Sequence, residues 1–229
     1  MKHKKAVPKR QDWEIPVYQL KIMLVGTKPA IWRRLLVRGD ATLDYLHAVF
    51  QVTMGWTNSH LHQFVINEQR YLDPKAIVEP SAGETPEFDE TKTKLMDVLP
   101  TAKTWFVYEY DFGDSWEHVV MVEKRLIPDR PMRHFAECLA GKRAGPPDDC
   151  GGVYGFADFL KAIRNPRHPD HEYLLEWVGG FYDPELFDLE KINKCLRMLK
   201  RPHPTINQLA GVLTARDYRG GWVLADNAL

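Results

Sequence analysis

Residues 105 to 122 constrain this chain more than any other segment. Trp105-Phe106-Val107-Tyr108-Glu109-Tyr110 and Trp116-Glu117-His118-Val119-Val120-Met121-Val122 are dense in aromatic and β-branched residues, and Asp111-Phe112-Gly113-Asp114-Ser115 separates them. Such residues favour a pleated, half-buried surface, and a Gly-Asp pair suits a tight reversal. The segment therefore predicts an antiparallel hairpin. A loop with an even number of residues would set Asp111 opposite Trp116, Glu109 opposite His118 and Val107 opposite Val120. Tyr108 and Phe106 would then share the core face with Val119 and Met121. A three-residue loop would place Asp111 against Glu117, two like charges, so the even loop is expected.

The flanking sequence supplies partners for that hairpin. Tyr18, Leu20, Ile22 and Leu24 alternate along one side of a strand; a turn at 26–29 and a second strand over 31–37 follow. Thr42 is a helix N-cap, Leu43, Leu46, His47, Phe50 and Met54 fall at helical spacing, and Gly55 is the stop. His47 on that apolar side reads as a packed core histidine. A third strand covers His62 to Ile66. Residues 79–90 hold five acids, two prolines and no base, which predicts a solvated loop. Prolines and glycines punctuate a long connection after Ile127. Helices follow around Phe156 to Ile163, after Pro169, and after Asp188, with one short helix expected near 205–215.

The expected organisation is a basic tail over 1–16, an α+β sheet half over 17–127, a connection and helical half over 128–200, and an extension over 201–229. The fold class is α+β: a mainly antiparallel sheet with one packed helix, followed by a C-terminal helical region. The order of strands around the helix resembles a β-grasp arrangement.

Charge narrows function. The 229 residues carry 31 Lys+Arg and 31 Asp+Glu, a formal net charge of zero. Proteins that hold DNA chiefly by neutralising phosphates carry an excess of base, so net charge disfavours a nucleic-acid partner. Lys2, Lys4, Lys5, Lys9 and Arg10 keep a basic arm in play. Three cysteines do not make a disulfide framework, and no run is long enough to span a membrane, so a cytoplasmic protein is expected. The P-loop, the dinucleotide-binding glycine motif, the zinc-protease helix and the nucleophile elbow are all missing from the sequence. No cofactor is expected.

The candidate binding residues are Trp32, Arg33, Arg34, Trp56, His60, His62, Asp111, Asp114, Trp116 and His118. They mix aromatics, acids and imidazoles at strand ends, where loops build sites. Carboxylate beside imidazole suits acid–base work or a metal, whereas a tight turn would use the same aspartates to accept backbone amides. Cys138 and Cys150 with His168 and His171 form a second, weaker set that could hold tetrahedral zinc, although the spacing is not that of a zinc finger. Two small buried cysteines and two surface histidines account for it better.

Several motifs recur in the same order in one family: Pro29-Ala30-Ile31-Trp32-Arg33-Arg34, Met54-Gly55-Trp56 with His60-Leu61-His62, Tyr110 through His118, and Pro146-Pro147-Asp148-Asp149-Cys150-Gly151-Gly152. On these the chain resembles the plasmid ORF-3-like family, over about Tyr18 to Leu199. The resemblance implies no established activity. A resolvase label attached to some members implies a link to mobile elements. A serine resolvase needs a serine nucleophile near the N-terminus and a basic recognition helix, and this sequence offers neither. Gly145 also stands where many members have a cysteine, which weakens any metal set including it. The expected function is a non-catalytic binding or adaptor domain that docks a protein partner through the aromatic–acidic hairpin. The alternatives are an accessory DNA-binding protein and a metal-dependent enzyme.

Overall fold

The computed structural model describes residues 14–78 and 86–199, and the backbone of 216–217 and 221–222. Residues 1–13 of the expected basic tail and the short helix expected near 205–215 lie outside the described residues.

One eight-stranded sheet organises the chain. Its strands are β1 (Val17–Leu24), β2 (Trp32–Arg38), β3 (His62–Ile66), β4 (Gln69–Leu72), β5 (Glu87–Asp89), β6 (Trp105–Tyr110), β7 (Trp116–Leu126) and β8 (Ala136–Lys142). They lie in the order β5-β4-β3-β6-β7-β1-β2-β8, and only the β4–β5 pairing is parallel. The helices are α1 (Leu43–Met54), the single turn α2 (Leu95–Val98), α3 (Gly152–Arg164), α4 (His171–Trp177) and α5 (Leu189–Met198).

Period two and period 3.6 meet on the inner face of the sheet. Tyr18, Leu20, Ile22 and Leu24 all point inward from β1 and are at most 2% exposed. Every residue of α1 except Asp44 is buried, because the helix lies across that face and is covered from its other side by later elements. Phe50 meets Tyr108 edge-on at 5.0 Å. Full burial of one such large side chain contributes roughly 1.5–3 kcal/mol. Gly55 ends α1 in the left-handed conformation, φ 90, as its position predicts. Thr42 occupies the N-cap without a side-chain cap. The first helical amide, of Leu43, instead donates to the Thr93 carbonyl at 3.0 Å.

Three expectations need correction. The hairpin register is shifted by one residue: Tyr110 faces Trp116, Glu109 faces Glu117, Tyr108 faces His118 and Phe106 faces Val120. The loop is thus the odd five-residue segment 111–115, entered and left through left-handed residues, Asp111 (φ 59) and Ser115 (φ 51). Since the side-chain period is two, one step exchanges the faces of β7. Trp116, His118, Val120 and Val122 turn inward, and Met121 is 48% exposed. The like charges of Glu109 and Glu117 lie on the outer face, where water screens them, and burial of Trp116 outweighs their repulsion.

The second correction is β8, an edge strand on β2 that falls inside the expected irregular connection. Its small residues Ala136, Ala140 and Gly141 give little apolar alternation to read. The third concerns 87–90 of the acidic stretch, which form β5 and the start of a 3₁₀ turn, Glu90–Lys92, rather than a solvated loop. Glu90 itself is buried.

Candidate functional site

Three connections converge at one end of the sheet: the hairpin loop 111–115, the segment 55–61 between α1 and β3, and the 143–151 loop between β8 and α3. Each is pinned by a carboxylate. Asp111 Oδ1 accepts the amides of Gly113 (2.9 Å) and Asp114 (3.3 Å), closing the hairpin tip. Asp114 Oδ2 accepts the Gly151 amide at 3.0 Å, tying the tip to the 143–151 loop. Asp148 Oδ2 accepts the Thr57 amide (3.2 Å) and hydroxyl (2.7 Å), tying that loop to the segment before β3. Gly152 makes the closest crossing: a Cβ there would lie 2.5 Å from the Asp114 carbonyl oxygen, and its φ is +66.

Within this junction His60, Asp111 and Asp149 come together. The His60 Nε2 atom is 3.2 Å from an Asp149 oxygen and 3.7 Å from Asp111 Oδ2. It is shielded from water, yet it makes no hydrogen bond among the described residues. The Asp111 side chain is 9% exposed and that of Asp149 70% exposed. One imidazole nitrogen and two carboxylate oxygens could hold a cation or move a proton. Of these three, His60 and Asp111 were legible as candidates. Asp149 was not, although it stands in the Pro146-Pro147-Asp148-Asp149-Cys150-Gly151-Gly152 motif on which the family resemblance rests.

The remaining candidates are placed elsewhere. Trp56, Trp116 and His118 are fully buried beneath the junction. The Trp56 indole donates to the Pro146 carbonyl at 3.0 Å and stacks on Tyr110 at 4.8 Å. Burial lowers the His118 imidazole to about 3, so it is neutral. These three form the floor of the site and cannot touch a docked partner. His62 is also interior: it stacks on His47 with centroids 3.4 Å apart, and its Nε2 lies 2.8 Å from Glu90.

Arg33 is buried, donates to the Thr53, Trp32 and Lys142 carbonyls and stacks on Phe187, joining α1, β2 and β8. Trp32 and Arg34 occupy the outer sheet face, with Arg34 paired to Glu123 at 2.7 Å. Both arginines are thus engaged within the protein. Cys138, Cys150, His168 and His171 form no ligand cluster among the described residues. The Cys138 thiol bonds the Ala140 carbonyl and is pushed up to about 11 by burial, while His171 bonds the Ala162 carbonyl.

Beside the junction α3 and α4 enclose an open cleft of about 540 Å³. Asp149, Asp158, Phe159, Asp170, Tyr173 and Trp177 are among its walls. Lys161 and His168 line it too: Lys161 pairs with Asp158 at 2.7 Å, and His168 Nδ1 lies 3.8 Å from Asp170. Tyr173 and Trp177 remain 68% and 41% exposed, unlike the buried tryptophans of the floor.

Fold and site together define an α+β protein built on one mainly antiparallel sheet, with a His–Asp–Asp junction at its loop-bearing end. The chain belongs to the plasmid pRiA4b ORF-3-like protein family, whose model matches residues 16–191. It is 34% identical over 186 residues to the uncharacterized protein y4hQ of Sinorhizobium fredii, covering 79% of this chain and 90% of that one. It is also similar to the crystal structure of MM3350, a protein of unknown function from Methanosarcina mazei. The TM-score is 0.65 at 33% identity, over 77% of this chain and 97% of that one.

Proposed function

We propose that the protein is a non-catalytic binding domain whose partner is a protein segment rich in Lys and Arg, docked in the α3–α4 cleft. The observation that carries this reading is the pairing of exposed Tyr173 and Trp177 with the acids of the same cleft. Between residues 148 and 183 there are seven acids and three Lys or Arg, a local excess that the neutral whole conceals. Aromatic faces beside carboxylates suit guanidinium and ammonium groups through cation–π attraction and charge complementarity. Exposed tryptophan and tyrosine are also the residue types that anchor interfaces. On the hairpin this role falls to Phe112, the exposed aromatic at its tip, rather than to Trp116. The first half, strand–strand–helix–strand, is read as β-grasp-like, which supplies a scaffold and no chemistry.

Fluorescence anisotropy with a labelled ten-residue Lys/Arg peptide tests the proposal. Binding should weaken with salt, and Tyr173→Ala or Trp177→Ala should each reduce affinity about tenfold, as for an interface anchor. Equal affinity for an acidic peptide, or no change in either variant, would refute it.

A further inference from the structure

We propose that His60, Asp111 and Asp149 bind one first-row divalent cation, Mn²⁺ or Zn²⁺, at the junction of the three loops. The cluster's ligand atoms all lie within 4.8 Å of one another, and two of the separations are 3.2 and 3.7 Å. A cation bonded at about 2.0–2.2 Å needs neighbouring ligand atoms roughly 3–3.5 Å apart. Two edges of the triangle already approach that spacing; the third, from Asp111 to Asp149, is within 4.8 Å, and the Asp149 side chain is 70% exposed.

The His60 side chain is 25% exposed, but its Nε2 atom is shielded and faces both carboxylates without hydrogen-bond geometry to either, and it makes no hydrogen bond among the described residues. A shielded imidazole nitrogen so placed is costly unless something occupies its lone pair or takes its proton. A cation between Nε2 and the two carboxylates would satisfy it and neutralise two acids that face one another. Asp111 is prepared for this role: its Oδ1 is committed to two backbone amides, so Oδ2 is the atom turned toward His60. Tyr110 packs edge-on against the His60 ring at 5.7 Å and limits its rotation. The Asp114–Gly151 and Asp148–Thr57 bonds brace the loops that carry the ligands, so little ordering remains to be done on binding.

The donor set selects the metal class. Mg²⁺ and Ca²⁺ favour oxygen alone, thiolate-rich sites favour Zn²⁺, and one imidazole with two carboxylates suits Mn²⁺ or Zn²⁺ with water completing the shell. Asp149 also lines the α3–α4 cleft, so those water positions face it. A cation on Asp149 would withdraw one cleft carboxylate from a basic partner and leave Asp170 beside Tyr173 and Trp177; the metal titration uses no peptide, so the two proposals fail separately.

Isothermal titration of tag-free, chelator-stripped protein with MnCl₂ and with ZnCl₂ is the test, supported by Mn²⁺ paramagnetic resonance. One ion per chain should bind. Asp149→Asn and His60→Ala should each weaken it at least tenfold, and Asp158→Asn, in the same cleft, should not. Asp149 is exposed, so its variant folds normally and decides the matter even where His60→Ala folds poorly. No binding at millimolar metal, unchanged affinity in Asp149→Asn, or an equal loss in Asp158→Asn would overturn the proposal.

Discussion

Asp111 does two things at once: one oxygen closes the hairpin and the other faces His60. Asp111→Ala removes two acceptor contacts from a left-handed residue and should cost about 1–2 kcal/mol in urea unfolding. A loss below about 0.3 kcal/mol would show that those amides find water instead. A second residue-scale prediction concerns the buried Glu90–His62–His47 stack. Burial raises the Glu90 carboxyl to about 8 and lowers His62 to about 4 and His47 to about 3. Burial thus favours the uncharged form of each group, and Glu90 Oε2 and His62 Nε2 share a hydrogen bond at 2.8 Å. The linkage signs are opposite. The histidines contribute stability that is present above their ordinary 6.5 and lost as pH falls toward 3–4. Glu90 contributes stability that is present below its ordinary 4.5 and lost as pH rises through about 8. Glu90→Gln should thus gain on the parent protein between pH 5 and pH 9, read from urea midpoints. A constant difference across that range would contradict the assignment. This group was not legible beforehand, because Glu90 follows a run of acids and its partner is 28 residues away.

Elements were more legible than the contacts between them. β1, β2, α1 and β3 follow from apolar spacing and a glycine stop, and α5 begins where Asp188 accepts the Lys191 amide. The hairpin register was not legible. Charge pairing on the outer face argued for an even loop, while the deciding burial of Trp116 and His118 depends on α1 and the 143–151 loop lying above them. The same loop explains two glycines. A Cβ at Gly145 would sit 2.0 Å from the Met54 carbonyl oxygen, where the loop crosses the end of α1. Gly145→Cys should therefore destabilise this chain, and Gly152→Ala should do the same at the hairpin crossing. Each should lower the urea midpoint by the equivalent of about 1–3 kcal/mol, the cost of forcing extra volume into a packed site. Wild-type stability in Gly152→Ala would mean the crossing relaxes freely.

At the scale of the whole molecule, the sheet presents one face to a continuous core and the other to solvent. The outer face carries Trp105, Met121 and the Arg34–Glu123 pair. The hydrogen bond from Arg34 holds Glu123 down at about 2. Its contribution is present above the ordinary 4.5 and lost as pH falls toward 2, so Glu123→Gln should narrow the stability difference between pH 6 and pH 3. None of the described helices is long and apolar enough to cross a membrane. All three connections that carry Asp111, His60 and Asp149 meet at one end of this sheet, the α3–α4 cleft opens beside them, and we propose this end as the working surface. Amide NMR spectra recorded while the Lys/Arg peptide is titrated test it most directly. Shifts should concentrate at Asp149, Gly151 to Tyr154 and Tyr173 to Trp177. Shifts spread over the outer residues of β1, β2 and β7, with the cleft unmoved, would contradict it.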